Sequence, residues 1–321
     1  GVPGTSRAPP GPGESVPAYE ADIGSHVFPT AKYRWTRELL EASGLPPEAF
    51  REPVRGERQL LGLVHHRSYL EDFFHLRRTP AVLSSELPIT RAIADWFELA
   101  CFGSLETVRL ALARGGAMHL GGGFHHAFAD HAEGFCYLND IAFAARLALG
   151  DDDGVPLELP DGTPVERISV VDLDVHQGNG TARIFQGDDR VFTFSMHQEN
   201  NYPAYKERSD LDFGLPDGME DPAYLKLLED GLRTAVSERR PQLVLYVAGA
   251  DPYREDVLGG LSLSLEGLRE RDRAVFRAAR ECSARVAVVL AGGYAARRED
   301  TARIHLQTAQ ELLAVWPREQ G

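Results

Sequence analysis

Short apolar runs alternate with longer amphipathic stretches along this chain from residue 25 onward. The apolar runs are AMHL at 117–120, ISVVDLDV at 168–175, VFTFSM at 191–196, LVLYVA at 243–248 and VAVVLAGG at 286–293. Most of them are continuous rather than alternating in polarity, which is typical of parallel strands covered on both faces. The pattern therefore predicts strands of one buried, mostly parallel sheet.

Helical periodicity fills the intervals between these runs. The predicted helices lie at about 89–114, 136–149, 221–239, 264–281 and 298–316. Asp221-Pro222 and Ser264 are typical helix starts, because each offers a capping residue followed by proline or acidic residues. The repeated strand–helix order predicts a single α/β domain with a doubly wound, mostly parallel sheet flanked by helices. We interpret 151–165 as a surface excursion of that domain.

The first 17 residues differ in composition from the rest of the chain. GVPGTSRAPPGPGESVP is rich in glycine, proline and serine and has almost nothing to bury. Such a composition predicts a flexible leader or a remnant of cloning rather than part of a core. We therefore assign residues 18–321 to the folded domain.

Composition and charge narrow the classes of partner. Hydrophobic residues make up 43% and charged residues 26% of the 321 residues, and no apolar run reaches membrane-spanning length. A net charge of −14 argues against nucleic acid and favours a cationic or neutral partner. The three cysteines lack the spacing of a disulfide framework or a thiolate zinc site. With no signal peptide in view, a reducing cytoplasm is expected.

The segment VVDLDVHQGNG at 170–180 places Asp172, Asp174 and His176 at every second position. In an extended strand these side chains would point to one side and converge. A carboxylate and an imidazole suit a borderline cation such as zinc, and Asp172 would support the site from behind. The alternative is a capping aspartate followed by an ordinary turn at 178–180.

Further polar clusters follow other strand-like runs. They are LGGGFHHA with His125 and His126, AGADPYREDVLGG with Asp251, and LAGGY with Tyr294, while GFCYLND at 134–140 opens a helix. Ligands of doubly wound sheets bind at the carboxyl ends of the strands, where these clusters fall. We therefore expect the clusters to meet in one site.

In this order, the five motifs closely resemble the zinc-dependent histone deacetylase superfamily, which includes acetoin utilisation proteins and acetylpolyamine amidohydrolases. The resemblance runs from about Val27 to the end of the chain. FTFSMHQENNYP at 192–203 and SDLDFGLPDG at 209–218 are most similar to the class IV branch and its bacterial relatives. The resemblance implies the arginase/deacetylase-like α/β fold.

The resemblance also implies two metal sites. Asp174, His176 and Asp251 match the ligands of a catalytic Zn²⁺, for which Fe²⁺ could substitute. The implied structural K⁺ is held by Asp172, by the carbonyls of Asp174 and His176, and by Ser195 and Met196. Asp251 follows from the resemblance alone, because GADP is otherwise an ordinary turn.

Five residues match the catalytic groups of the family. His126 would take a proton from the attacking water, and His125 would contribute mainly electrostatically. Asp172 matches the partner that orients His125, and Asn179 occupies the place of the partner of His126. Many relatives have aspartate there, and an amide cannot supply the negative charge that raises an imidazole pKa, so His126 should be the more readily neutral base. Tyr294, after two glycines, would donate to the acyl oxygen.

The implied substrate channel is aromatic. Phe135 and Tyr202 match its walls around a lysine stem, and Gly134 would keep it open. Leu258 falls where polyamine-specific relatives have an acidic residue, which makes a polyamine substrate less favoured. Cys136 is interpreted as a buried packing residue rather than a nucleophile.

Two departures from the family pattern are expected near the rim of the site. Gln177 replaces a second histidine, and Arg254-Glu255-Asp256 replaces a stretch that is usually small and contains glycine. We expect both departures to change the substrate preference more than the catalytic reaction.

The leading hypothesis is therefore a zinc amidohydrolase that removes an acetyl or longer acyl group from a lysine of a protein or peptide. The alternatives are a deacylase of a small acylated amine, such as an acetylpolyamine, and a catalytically weak acyl-lysine binding module. An arginase-type enzyme would need two metals and further bridging aspartates, whereas one Asp-x-His pair and one distal aspartate favour a single ion. No nucleic-acid or membrane partner is expected, and the oligomeric state stays open.

Overall fold

A six-stranded parallel sheet forms the centre of the computed structural model, which describes residues 21–24 and 26–317. The strands are β1 Gly116–His119, β2 Ile168–Asp172, β3 Val191–Gln198, β4 Leu211–Leu215, β5 Leu243–Val247 and β6 Arg285–Val289. Their order across the sheet is β1-β6-β5-β2-β3-β4, and every neighbouring pair is parallel. The leader proposed for residues 1–17 lies outside the described residues.

Helices surround this sheet. They are α1 Lys32–Ala42, α2 Arg67–Phe74, α3 Pro80–Leu83, α4 Arg91–Arg114, α5 Asp140–Ala148, α6 Asn179–Phe185, α7 Asp221–Leu232, α8 Leu265–Glu281 and α9 Arg298–Val315. Short 3₁₀ turns lie at Pro47–Ala49 and Arg58–Leu63, and a π-helical segment, Arg233–Glu238, extends α7. No helix in the described part is long and apolar enough to cross a membrane.

Alternate residues of the central strands enter two separate cores. Val170 of β2 and Leu245 of β5 pack with residues of α4 and α5 on one face. Val171 and Val244 pack with residues of α7, α8 and α9 on the other. Because side chains alternate across a strand, a sheet covered on both faces needs continuous apolar runs. The predicted doubly wound α/β fold is confirmed.

The five predicted strands are present, but β4 was not predicted as a strand. Leu211–Leu215 reads LDFGL and is mostly half-buried or exposed. It lies at the edge of the sheet, beside β3 alone. An edge strand with a polar sequence carries no continuous apolar run, so the pattern that revealed the central strands was missing.

The helices begin close to the capping residues that the sequence offers. The predicted starts at Asp221-Pro222 and Ser264 are confirmed, and the Ser264 hydroxyl accepts a hydrogen bond from the Gly267 N–H at 2.9 Å. The helix predicted from residue 136 begins later, at Asp140. There the Asn139 side chain caps α5 by accepting from the Ala142 N–H at 2.9 Å.

The expected extension of β2 through Val175 is wrong. The strand ends at Asp172, whose Oδ1 accepts a hydrogen bond from the Asp174 N–H at 3.2 Å. Asp174 Oδ1 in turn accepts from the His176 N–H at 3.0 Å. These carboxylates take the place of ladder partners and turn the chain, so Asp174 and His176 converge through a loop rather than along a strand.

Candidate active site

Four loops that follow β1, β2, β5 and β6 meet at the carboxyl edge of the sheet. Because all strands are parallel, their carboxyl ends lie along one edge, where doubly wound folds bind ligands. The loops enclose a cavity whose lining includes His125, His126, Asp174, His176 and Tyr294. Residues separated by up to 169 positions along the chain thus share one site.

Asp174, His176 and Asp251 form a buried cluster with the geometry of a metal centre. Their ligand atoms all lie within 4.8 Å of one another. The His176 Nδ1 is 3.1 Å from Asp174 Oδ1 and 3.3 Å from Asp251 Oδ2. Ligand atoms about 2 Å from a tetrahedral zinc ion lie roughly 3.3 Å apart, so these separations fit such an ion.

The charge of the cluster also favours a cation. Among the described residues, Asp251 Oδ2 is buried without a hydrogen-bond donor in bonding geometry, although His176 lies nearby. Burial opposes a charge on His176, but Asp174 and Asp251 outweigh it and raise the pKa of His176 to about 10. Two buried carboxylates that draw a positive charge onto an imidazole would be satisfied by a divalent ion.

Gly292 lets the last loop approach this cluster. Its N–H donates to Asp174 Oδ2 at 2.8 Å. A Cβ at this position would collide with the carboxylates of Asp174 and Asp251. The loop that carries Tyr294 therefore packs directly on the two carboxylates of the candidate metal cluster.

We expect G292A to lower the affinity for Zn²⁺ by about 10- to 100-fold, because the added methyl group displaces both carboxylates. Competition with a chromogenic chelator measures this affinity. G62A is the control, since Gly62 is exposed and no atom lies within 4 Å of an added Cβ there. Unchanged zinc affinity in G292A would contradict the tight contact.

The tandem histidines have different partners. His125 Nδ1 bonds Asp172 Oδ2 at 2.8 Å, and His126 Nδ1 bonds Asn179 Oδ1 at 2.7 Å. Burial opposes a charge on His125, but Asp172 and Asp174 raise the pKa of His125 to about 9. Burial and the neighbouring histidines instead lower the pKa of His126 well below its usual value. His125 thus favours the protonated, positively charged form, and His126 favours the neutral form.

Asp140 holds the glycine loop that presents these histidines. Its carboxylate accepts hydrogen bonds from the N–H groups of Gly123 and Phe124, at 3.1 and 2.8 Å, and from the Ser104 hydroxyl. Asp140 is itself fixed as the first residue of α5. The start of a helix therefore positions the loop that leads into His125.

Tyr294 is fixed by its backbone. Its N–H donates to Asp256 Oδ2 at 2.6 Å, while Asp256 Oδ1 accepts from the N–H groups of Leu258 and Gly259 at 2.9 Å each. Burial and nearby carboxylates, including Asp251, raise the pKa of Tyr294 well above its usual value. The hydroxyl therefore keeps its proton and can donate it in a hydrogen bond.

Of the four residues expected near the rim, Gln177 and Asp256 need correction. Asp256 is buried rather than at the rim, because its carboxylate bonds the Tyr294 loop; Arg254 and Glu255 beside it are exposed. Gln177 is also buried, and its side chain donates to Glu207 O at 2.7 Å and to an Asp212 oxygen. These two side chains brace loops instead of facing substrate.

Lys32 of α1 lies behind the cavity and was not found from the sequence. It is fully buried, and its Nζ donates to Ala291 O at 2.5 Å and lies 5.8 Å from the Tyr294 ring centroid. Burial lowers the pKa of Lys32 to about 8, against the opposing effect of Asp251 and Asp174. A buried cationic group thus interacts electrostatically with the two carboxylates of the candidate metal cluster.

The predicted channel residues occupy different depths. Gly134 and Phe135 line the cavity, and Phe135 lies edge-on to Tyr294 with ring centroids 6.2 Å apart. Tyr202 is not in the cavity lining; its ring stands edge-on to His126 at 5.0 Å. A Cβ on Gly134 would collide with both His126 and Tyr202, so glycine is required between them.

The remaining predicted residues lie nearby. Leu258 is half-buried, and its carbonyl accepts from Asn201 at 2.8 Å. Cys136 is buried, and burial raises the pKa of its thiol well above the usual value. Asp172 and Ser195 are register partners in the sheet, and Met196 is buried next to them. The potassium site at these last three residues stays a prediction.

Comparisons with known proteins place this arrangement in a family. The model of the histone deacetylase domain matches residues 26–311. An uncharacterized protein of Picosynechococcus is 40% identical over 282 residues, which are 87% of this chain and 90% of that protein. The chain belongs to the histone deacetylase family.

A second relative agrees with this membership, and a solved structure agrees with the fold. Histone deacetylase 2 of Arabidopsis thaliana is 30% identical over 299 residues, covering 89% of this chain and 73% of that protein. The crystal structure of the HDA15 HD domain matches with a TM-score of 0.70 at 21% identity, over 93% of this chain and 92% of that chain. The second likeness concerns the fold alone. The family supports hydrolytic deacetylation as the type of reaction.

Proposed function

We propose that this histone deacetylase family member removes an acetyl or longer acyl group from lysine side chains of a protein or peptide. The observation that carries the proposal is a cavity lined by His125, His126 and Tyr294 together with Asp174 and His176, whose buried cluster is completed by Asp251. Zn²⁺ is the proposed ion, with Fe²⁺ as the alternative, because the cluster offers one imidazole and two carboxylates.

When bound, the ion would polarise the acyl carbonyl and increase the acidity of a water molecule. His126 is the proposed general base, since burial keeps it neutral and Asn179 occupies its Nδ1. The second ring nitrogen is then left to accept a proton from the attacking water. His125, paired with Asp172, supplies positive charge beside it.

Tyr294 is the proposed donor to the acyl oxygen. Its phenol keeps its proton, and the Asp256 carboxylate fixes its backbone at the cavity. A donor held in place before the reaction stabilises the charge that develops on the oxygen without reorganisation.

The lysine stem is proposed to pass Gly134 and Phe135, with Tyr202 near the entrance. Leu258 is apolar, so a second cationic group of an acetylpolyamine would find no countercharge from that residue. A protein or peptide lysine is therefore favoured over a polyamine. We also propose that the protein is related to the class IV branch, binds a structural K⁺ and is located in the cytoplasm.

Hydrolysis of a matched panel tests the substrate class. The panel contains acetyl-, octanoyl- and myristoyl-lysine peptides of one sequence together with an acetylated polyamine. We expect release from at least one lysine peptide at a kcat/KM at least tenfold above that of the polyamine. Preference for the polyamine would overturn the lysine assignment, and no turnover on any member with zinc bound would favour a binding module.

A further inference from the structure

The Asn179 side chain is bonded on both sides. Its Oδ1 lies 2.7 Å from His126 Nδ1, and its Nδ2 lies 2.6 Å from Glu133 Oε1. An amide has one accepting end and one donating end, so its two neighbours must be of opposite kinds. The orientation of this amide therefore decides whether His126 Nδ1 acts as a donor or as an acceptor.

Glu133 determines that orientation. Burial alone would raise the pKa of Glu133, but hydrogen bonds from His131, Asn179 and Tyr202 outweigh it and lower the pKa below its usual value. An ionised carboxylate can only accept hydrogen bonds. The amide nitrogen of Asn179 must therefore face Glu133, which leaves the amide oxygen for His126.

The orientation of the Asn179 amide determines which nitrogen of His126 carries the ring proton. With an acceptor fixed at its Nδ1, the neutral His126 ring carries its proton there, and Nε2 has the free lone pair. With the amide reversed, the Asn179 nitrogen would donate to Nδ1 and move the ring proton to Nε2. That tautomer has no lone pair for a water proton, and fixing the wrong tautomer of a catalytic histidine is a severe loss in other hydrolases.

We propose that Glu133 is a positioning residue that sets the tautomer of His126 through the Asn179 amide. The inference rests on the proposed function, because it assigns His126 as the base. A carboxylate at position 179 would accept a hydrogen bond from His126 Nδ1 in either orientation. An amide does so only when its oxygen faces His126, and Glu133 holds the amide in that orientation.

Glu133 has other contacts that the test must separate from this role. The Tyr202 hydroxyl donates to the same Oε1 at 3.0 Å, and His131 Nε2 lies 3.5 Å from Oε2. A purely structural role through these contacts would be independent of the residue at position 179. The tautomer role depends on that residue, and this difference is measurable.

The test is a cycle of four proteins: wild type, E133A, N179D and E133A/N179D, each loaded with Zn²⁺ and assayed on one acyl-lysine peptide. We expect E133A to lower kcat about tenfold or more with KM unchanged when Asn179 is present. In the N179D background the same change should not lower kcat, because the introduced carboxylate accepts from His126 in either orientation. Removing Glu133 there also relieves a contact between two carboxylates. An equal loss of kcat in both backgrounds overturns the proposal.

E199A is the matched control. Glu199 is an exposed acidic residue of the loop after β3, so its removal changes charge without touching Asn179. It should have the same small effect in both backgrounds. A background-dependent effect of E199A would show that general charge, not the amide, couples the two positions, and would overturn the proposal.

Nitrogen NMR of ¹⁵N-histidine protein supplies a readout that is independent of turnover. Protonated and unprotonated ring nitrogens have well-separated shifts, and H126Q identifies the His126 signals. We expect a protonated Nδ1 in wild type and E133A/N179D, and a mixture of tautomers in E133A. An unchanged, fully Nδ1-protonated ring in E133A overturns the proposal. Because no substrate is needed, this result stands even if the lysine assignment fails.

Discussion

D174A is expected to abolish metal binding and hydrolysis together. Asp174 is one of three proposed carboxylate or imidazole ligands; its Oδ1 also accepts a hydrogen bond from the His176 N–H and lies 3.1 Å from the His176 Nδ1. Its loss removes a ligand and releases the ring of a second one. A site with fewer than three protein ligands holds a divalent ion weakly. Loss of a hydrogen bond that orients a ligand, such as the one to His176, by itself lowers metal affinity about 10- to 100-fold.

Metal content after gel filtration and turnover on an acyl-lysine peptide measure the two losses on the same sample. D189A is the control, since Asp189 is exposed on the turn before β3. It should retain both metal and activity. Full hydrolysis by metal-free D174A would contradict the assignment of the site.

Y294F is expected to lower kcat by roughly 10²-fold or more while the metal stays bound. The change removes only the hydroxyl that would donate to the acyl oxygen, and removing one such donor costs about 10² to 10³ in other enzymes. The backbone bond from Tyr294 to Asp256 does not depend on the hydroxyl, so the loop should keep its position.

Steady-state kinetics and metal content on the same preparation separate chemistry from metal loss. Y205F, at a tyrosine that is 92% exposed, is the control and should behave as wild type. A kcat for Y294F close to that of wild type would remove the phenol from the reaction. Loss of the metal in Y294F would instead show that the Tyr294 hydroxyl supports the structure of the metal site.

The central sheet was predictable because its strands are buried on both faces. Such strands, like Leu243–Val247, must be continuously apolar, and that pattern stands out in a single sequence. The edge strand Leu211–Leu215 was missed because half of its surroundings are solvent. The end of β2 was also missed, because the turn depends on hydrogen bonds that the carboxylates of Asp172 and Asp174 accept from the N–H groups two residues later.

The site could be predicted only where its residues form motifs. Asp174 and His176 stand two residues apart, and the tandem histidines follow a glycine run, so each pair is visible locally. Asp251 enters the cluster from the loop after β5, and only the family resemblance pointed to it. Geometry then placed its carboxylate 3.3 Å from the His176 ring.

Residues that act through another side chain left no signal in the sequence. Asp256 was expected at the rim, yet it is buried and bonds the Tyr294 backbone. Glu133 precedes the GFCY motif as an ordinary acidic residue, and its contact with Asn179 joins positions 46 apart. Lys32 is separated from its acceptor, Ala291, by 259 positions. Contacts of this range follow from the fold and not from local spacing.

Titration of the metal-free protein with Zn²⁺, followed by hydrolysis of an acyl-lysine peptide, tests the central claim most directly. The cluster of Asp174, His176 and Asp251, the one such group among residues 21–24 and 26–317, predicts no turnover without metal and a rise that saturates at one equivalent of bound Zn²⁺. Turnover that survives complete metal removal would contradict a metal-dependent deacylase. A requirement for two equivalents would contradict a mononuclear site and favour arginase-type chemistry.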